Sequence, residues 1–464
     1  MKKNKILILV PDGVGLRNFA HTQFFEIGNS MGYELVYWNN TPFDLKSLGF
    51  NQLEINRAKI HPLTTLLKNA RKEIELNRFK KKFKDPVYDF YKFPSTNKGI
   101  KNKIKYWVTR LIIRLYNSDK GLKKICKYIE VLECTTVHYK NCFQTLKTQQ
   151  PNLVFCTNQR ASEAIAPLLA ARELNIPTVS FIFSWDNLPK ATMVVAADYY
   201  FVWSDYMKRE LKKYYPFISD NQIKVTGTPQ FEPHYNSNYR TPKKEFFQEY
   251  HLDESKKYIC FSGDDITTSP NDPQYLEDVA EAVRQLNEEE FHVGIIFRRC
   301  PVDHSDRFEK VLKNFNDVIT PINPIWKSVG NQWNQVMPLK KDMNLLISTI
   351  QFSEMVINVG SSMVFDFSTM GKPCIFINYN QHKSNQKGWD INKIYQYVHF
   401  RSMPSKKSVN WANSKLGLVD VIRDILERPS NNLKETIAWF EIINQHPSKQ
   451  ASERIWDNLT KITN

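Results

Sequence analysis

The chain has 464 residues, 42% hydrophobic and 13% aromatic, with a formal charge of +16 and a pI near 9.3. That length exceeds what one core serves and predicts two α/β domains of ordinary globular composition. The basic balance asks for an anionic partner: a nucleic acid, a membrane surface or a phosphorylated substrate.

The opening MKKNKILILV carries only six apolar residues before Pro11 and Asp12. This is far short of a secretory or spanning segment, and the expectation is a cytoplasmic protein. Seven cysteines are scattered without CxxC pairs, which suits a reducing compartment. Cys126, Cys134, His138 and Cys142 fall at near-helical spacing, but no second ligand pair is nearby and they read as buried side chains.

Lys5 to Val10 reads as the first strand, followed by Asp12, Gly13, Gly15 and Arg17 in a loop, then a helix from about Phe19 to Met31. Glu34 to Trp38 is the second strand. The loop stands at the carboxyl edge of the sheet, where open α/β folds bind ligands, but its spacing is not GxGxxG and supports no dinucleotide fingerprint. Asp12, Arg17 and His21 are site candidates by position.

From about 62 to 145 the βα alternation gives way to a basic helical insertion. Within it, KNKIKYWVTRLIIRLY (101–116) has no acidic residue. On a helix, Ile104, Trp107, Val108, Leu111, Ile112 and Leu115 share one face, and Ile113 points away. Lys101 and Lys105 border the face on one side, and Lys103, Arg110 and Arg114 on the other. A tryptophan-bearing apolar face edged with cations suits the surface of an anionic membrane. Packing against its own domain is the competing reading. No nucleic-acid-binding module accompanies the charge.

Alternation resumes at Pro151. Strands are expected at 152–157, 178–183, 199–204 and 223–227, with an alanine-rich helix at Ser162 to Leu174 and another at Asp205 to Tyr214. Ser184, Trp185, Asp186 and Asn187 follow a strand's carboxyl end. A polar linker is expected from Thr228 to Thr241. The second half restarts with a strand at Tyr258 to Ser262, which leads into Gly263-Asp264-Asp265-Ile266-Thr267. The acidic pair there reads as a loop or helix-cap pair. A strand from His292 ends at Arg298. The tail is expected to carry helices at about Leu416 to Glu427 and Leu433 to Thr460.

The densest signal is EMVINVGSSMVFDFSTMGKPCIFIN, Glu354 to Asn378. It reads as a buried strand, a Gly-Ser-Ser turn, a helix ended by Gly371 and Pro373, and a second buried strand. This is the crossover of a parallel sheet, with N–H groups placed to meet an anion.

Two such halves resemble the two Rossmann-like domains of GT-B glycosyltransferases. That implies a cleft between a first, acceptor-binding domain (1–235) and a donor-binding domain (236–440), with a C-terminal helix (441–464) that packs back on the first. GSSMVFDFSTMGKPCIFI is similar to the donor-binding motif of nucleotide-sugar transferases. The resemblance implies that Gly360, Ser361 and Ser362 contact the donor's diphosphate and that Asp366 binds its ribose, where the family usually has glutamate. The stretch also resembles CDP-glycerol glycerophosphotransferases, but their His-Pro pair is replaced by Cys300-Pro301. SWDNL, FVWSDYMKREL and VTGTPQF look like bacterial UDP-glycosyltransferase-like proteins of surface-polysaccharide clusters.

The implied function is transfer of a sugar from a nucleotide-diphosphate donor to a glycan or polyprenyl-linked acceptor at the inner face of the cytoplasmic membrane. Glycerophosphotransfer, nucleotide-sugar 2-epimerisation and a non-catalytic glycan-binding role are the alternatives. The sequence has no Asp-x-Asp, so metal-independent chemistry with no cofactor is expected. Arg298 is a candidate cation for the leaving diphosphate, with Gly263 and Thr267 in reach of the phosphates. Asp12 is the preferred general base, with Asp186 next and His21 a further candidate.

Overall fold

The computed structural model describes residues 4–55, 58–92, 99–330, 335–386 and 388–463, apart from the side chain at 101. The chain forms two compact units. The first runs to Pro229 and takes in Tyr397–His399 and the segment from Ile443 onward; the second comprises Gln230–Gln396 and Phe400–Ile442.

The first unit is built on a seven-stranded sheet: β1 (Lys5–Val10), β2 (Glu34–Asn39), β3 (Gln52–Glu54), β4 (Leu153–Cys156), β5 (Thr178–Phe181), β6 (Tyr199–Val202) and β7 (Ile223–Val225). The strand order is β3-β2-β1-β4-β5-β6-β7, and every pairing is parallel. Parallel strands are covered on both faces, so they read as unbroken apolar runs: Ile6 to Val10 and Leu153 to Cys156 are all fully buried. β3 is a short edge strand that hydrophobic patterning does not reveal.

The basic insertion is the crossover between β3 and β4. It contains α1 (Thr64–Phe83), α2 (Ile100–Tyr116), α3 (Asp119–Cys134) and α4 (Val137–Gln149). Ile74, Ile113, Ile125, Ile129 and Leu146 join β1 and β4 in one core cluster. Ile113 is thus the buried side chain through which α2 packs, with Ile112 and Tyr116 partly buried against the same cluster. The rest of the expected apolar face is turned outward. After β4 come α5 (Ile165–Glu173), entered through a 3-10 turn at Ser162–Ala164, and then α6 (Asp205–Tyr214).

The helix expected at Phe19–Met31 is two helices, Leu16–Phe19 and Phe24–Ser30, separated at His21. The polar linker is also not a solvated loop. It winds into 3-10 turns at Pro229–Tyr235 and Ser237–Tyr239, with Phe231, Glu232 and His234 buried.

The second unit carries a six-stranded parallel sheet: β8 (Lys257–Ser262), β9 (Val293–Arg298), β10 (Ile319–Ile322), then, after the antiparallel pair β11 (Trp326–Ser328) and β12 (Val336–Pro338), β13 (Ser353–Asn358), β14 (Cys374–Ile377) and β15 (Asn410–Ala412). Its order is β10-β9-β8-β13-β14-β15. The helices α7 (Asp272–Glu288), α8 (Lys340–Gln351) and α9 (Met363–Ser368) lie between strands, and α10 (Lys415–Glu427) follows β15. The long tail helix expected to Thr460 is two, α11 (Leu433–Ile443) and α12 (Ala451–Thr463), with Pro447 between them.

In the first unit, α12 seats Trp456 against the helix Phe24–Ser30. The Trp456 ring stacks on Phe24 at 5.1 Å, and its Nε1 donates to the Phe24 carbonyl at 2.7 Å. Gly28 permits that approach, since a Cβ there would lie 2.2 Å from the indole. Gly28→Ala is therefore expected to destabilise the protein by about 1–3 kcal/mol through overpacking, despite the roughly 1 kcal/mol that alanine normally gains over glycine in a helix. Urea unfolding of the two proteins measures this.

Candidate functional site

In each sheet the strand order reverses once, at β1/β4 in the first unit and at β8/β13 in the second. Loops that leave such a pair diverge to opposite faces and open a crevice at the carboxyl edge. All the loops expected to carry chemistry follow one of these strands or its neighbour.

In the first unit Asp12 starts a 3-10 turn at Gly13–Gly15 and accepts from the Gly15 N–H at 3.3 Å. Its other oxygen accepts from Asn158 Nδ2 at 2.6 Å, so one hydrogen bond spans the switch point. A Cβ at Gly15 would sit 2.7 Å from Thr157 Oγ1, which is why the turn carries glycine there. Burial raises the Asp12 carboxyl above its ordinary value, against the bonds from Asn158 and Gly15 and the nearby Arg160 charge, all of which favour the ionised form. Gly13 is buried beneath the turn, Arg17 is half-buried on the short helix that follows, and His21 is buried in the break after that helix.

Asp186 follows β5 and belongs to a second cluster. It pairs with Lys190 and accepts from Asn187 Nδ2 at 2.8 Å. Burial alone would raise its pKa, but the Lys190 ammonium holds it well below the usual carboxylate range. Trp185 packs edge-on to His399, whose imidazole burial pushes down to about 3. Gln159 ties the two clusters together. Its Oε1 accepts from the Phe183 N–H at 3.1 Å, and its Nε2 donates to Asn187 Oδ1 at 3.4 Å. Asn158 and Gln159 are not among the residues that the sequence motifs single out, although a polar pair straight after a buried strand is the signal that marks them.

In the second unit the turn after β13 is as the sequence predicts. Gly360 has φ +68°, and a Cβ there would lie 2.9 Å from the Phe400 ring and 3.4 Å from Tyr395. Asn358 Oδ1 holds the Ser361 N–H at 2.8 Å, and Ser362 is exposed at the start of α9 with no side-chain cap. The Met363 N–H is also engaged, with Ser361 Oγ at 3.4 Å, so what the turn presents outward is the exposed Ser362. Tyr395 also lines a hollow of about 380 Å³ with Asn378, Trp411 and Asn413, at the ends of β14 and β15.

Asp366 has an internal partner. It is buried, with Oδ1 3.2 Å from Nε2 of the equally buried His234, whose Nδ1 lies 3.2 Å from the Phe231 carbonyl. Arg298 is likewise buried. Its Nη2 donates to both Asp342 oxygens at 2.9 Å, and that carboxylate also accepts from the Ile325 N–H and from Trp326 Nε1. Burial would raise the Asp342 pKa, but Arg298 holds it below its ordinary value. This guanidinium fixes the end of β9 to the segment after β10.

The loop after β8 divides the acidic pair. Asp265 caps the turn by accepting from the Thr267 and Thr268 N–H groups, and Thr267 is exposed beside it. Asp264 is no cap. Its carboxyl lies near Asp272, which accepts from the Asp264 N–H at 2.6 Å. Burial pushes Asp264 well up and Asp272 to about 7. Arg307 braces both with bonds to the Asp264 and Ser269 carbonyls and to Asp303. Gly263 is buried, with a Cβ position 3.3 Å from Phe297. Among the described residues no three metal-ligating side chains converge.

Removing Arg298 leaves Asp342 buried without its cation. Arg298→Met is expected to cost about 3–5 kcal/mol, and adding Asp342→Leu to recover only part of it, because the Ile325 N–H and Trp326 Nε1 then lose their acceptor. Thermal melts of the single and double variants test this.

No protein-family model and no curated protein matches the sequence. Solved structures do match. An S. aureus MnaA–UDP co-structure has a TM-score of 0.53 at 12% identity, covering 98% of this chain and 96% of that one. A glycosyltransferase from Rickettsia africae ESF-5 has a TM-score of 0.52 at 12% identity, covering 100% and 99%. The wall teichoic acid polymerase TagF has a TM-score of 0.50 at 11% identity, covering 100% and 89%. At these identities the likeness is one of fold, and the fold is of the GT-B type.

Proposed function

We propose that the protein is a glycosyltransferase that moves a sugar from a nucleotide-diphosphate donor to a glycan or polyprenyl-linked acceptor in cell-surface polysaccharide biosynthesis, without a metal or other cofactor. The observation that carries this reading is the Gly360–Ser362 turn. It stands at the switch point of the second sheet, with a left-handed glycine, a pinned Ser361 and an exposed Ser362. A leaving diphosphate gains negative charge as the sugar bond breaks, and donors fixed in advance stabilise it. The exposed Thr267 lies on the loop across that switch point, beside Gly263. Among the neighbours, MnaA was solved with UDP, and a 2-epimerase from Neisseria meningitidis with UDP-GlcNAc.

The buried Arg298–Asp342 pair leaves Arg298 ill placed as the diphosphate's cation, so the turn itself carries that role. Asp366, in its pair with His234, holds α9 under the turn; ribose binding at this position would require the pair to open. Asp12 is the better general base of the two aspartates. A base works best with a pKa near the working pH, and burial moves Asp12 upward while Lys190 holds Asp186 low.

The second reading is a glycerophospho-transferase, in keeping with the TagF match. The products separate the readings. Sugar transfer releases a nucleoside diphosphate, glycerophospho-transfer releases CMP, and epimerisation releases no nucleotide. With UDP-, GDP- and CDP-linked donors, one nucleoside diphosphate is expected to be released. Ser361→Ala/Ser362→Ala is expected to reduce both donor binding and turnover. Asp12→Asn is expected to abolish turnover while nucleotide binding persists. Release of CMP alone, or turnover by Asp12→Asn equal to the parent, overturns this assignment.

We also place the protein at the cytoplasmic face of a membrane through α2. No helix among the described residues is long and apolar enough to cross one. Yet Ile104, Trp107, Leu111 and Leu115 are 57%, 70%, 56% and 68% exposed on one face, with Lys103, Lys105 and Arg114 exposed beside it. Arg110 is exposed too and pairs with Glu73, while the side chain of Lys101 lies outside the described residues. Such a face lowers its free energy by entering an anionic lipid interface. Cosedimentation with phosphatidylglycerol vesicles is expected at low salt, with release at high salt. Lys105→Glu/Arg114→Glu and Trp107→Ala should each weaken it; equal binding by all three proteins rejects the idea.

A further inference from the structure

Three cations of the first unit that no sequence pattern singles out stand together with Lys190. Lys68 and Lys72 lie one turn apart on α1, and Lys68 Nζ donates to Ser162 Oγ at 2.7 Å, in the turn that follows Arg160. Between them Arg71 donates to the Ala191 carbonyl at 2.8 Å, directly after Lys190. Those bonds lay α1 across the loops that leave β4 and β5, at the carboxyl edge of the sheet. Arg160 is exposed there.

The carboxylates in this region are Glu75, which pairs with Arg71 at 2.6 Å, Asp186, which pairs with Lys190, Glu163 near Lys68, and Asp12 near Arg160. Burial, with Lys190, Arg160, Arg71 and Lys68 around it, pushes the Lys72 ammonium down to about 8. The fold thus holds like charges together at a cost that a bound anion would relieve. Arg71 and Lys190 are matched to acids and serve the fold, while Lys68 and the exposed Arg160 stand beside them at the carboxyl edge of the sheet, a concentration of positive charge that attracts an anionic ligand.

We infer that Lys68, Lys72, Arg160 and Lys190 form a binding site for a phosphoryl group, the phosphate or diphosphate borne by an acceptor molecule. This rests on the reading of the first unit as the acceptor side. The Gly360–Ser362 turn belongs to the other unit.

The probe is inorganic pyrophosphate, titrated calorimetrically into the full chain. Lys72→Gln and Arg160→Gln are each expected to weaken its binding by about tenfold, the loss of one charge-assisted hydrogen bond. The Gly360–Ser362 turn is itself read as a diphosphate site, so the titrations are repeated in the Ser361→Ala/Ser362→Ala background, where pyrophosphate binding that depends on Arg160 is expected to remain. Arg160 is exposed, so its variant keeps the core and the test stands even if Lys72→Gln unfolds. Unchanged affinity in Arg160→Gln and in folded Lys72→Gln, or no Arg160-dependent binding left in the serine background, overturns the site.

Phosphatidic acid vesicles distinguish the source in the Trp107→Ala background, where α2 no longer dominates vesicle binding. If Arg160→Gln loses both vesicles and pyrophosphate, the phosphoryl group sits on a lipid headgroup. If it loses only pyrophosphate, the group is carried by a soluble acceptor. If no nucleotide binds yet pyrophosphate binding still depends on Arg160, the donor reading falls and this site stands. If donor turnover proceeds with the same acceptor KM in the parent and Arg160→Gln, the site falls and the donor reading stands.

Discussion

The candidate site loops are arranged by one constraint: two parallel sheets whose central strands are buried on both faces. Ile6 to Val10 and Leu153 to Cys156 have no room for a charge. Chemistry is therefore driven to the carboxyl ends, and the reversal of strand order decides which ends open into a crevice. The Asp12–Asn158 hydrogen bond, which spans residues 146 positions apart, shows how closely the first switch point is drawn together. The second unit repeats the arrangement with the Gly263–Thr267 and Gly360–Ser362 loops.

The same constraint governs which elements are legible in the amino-acid pattern. A strand covered on both faces announces itself as an apolar run, so all the long strands and the turn after β13 can be read from the residues alone. The short edge strand β3 cannot, because Gln52–Glu54 mixes polar and apolar residues. The breaks in the tail and in the first helix escape the pattern for a related reason: periodicity persists across a short interruption. For α2 the helical period reveals a cation-edged apolar face, but amphipathicity does not say which side meets protein. The single isoleucine outside the pattern, Ile113, is the anchor.

Candidate site residues are legible only where loop position alone defines them. Asp12, Gly360 and Ser361 follow strands directly and stand at switch points. Arg298 and Asp366 also follow or flank the expected strands, but each is matched to a partner remote in sequence, Asp342 and His234, that no local pattern exposes. The cluster around Lys72 is hidden for the same reason. α1 meets the β4 and β5 loops through bonds between residues 94 and 120 positions apart.

What separates a structural cation from a binding one is then how its charge is balanced inside the fold. Arg298 sits buried against a carboxylate that the Ile325 N–H and Trp326 Nε1 also hold and orient, and such a pair is expensive to break and has little to offer a ligand. Arg71 is committed in the same way to Glu75 and the Ala191 carbonyl, and the consequence is mechanical: it pins α1 over the sheet edge. Lys72, one residue on, rides on that pinned helix among like charges, where burial and its neighbours make its proton easier to lose. A buried ion pair that fixes a helix can thus impose on the adjacent residues a concentration of charge that they would not adopt on their own. Rigid pairing at Arg71 and anion affinity at Lys72 are two consequences of one docking geometry.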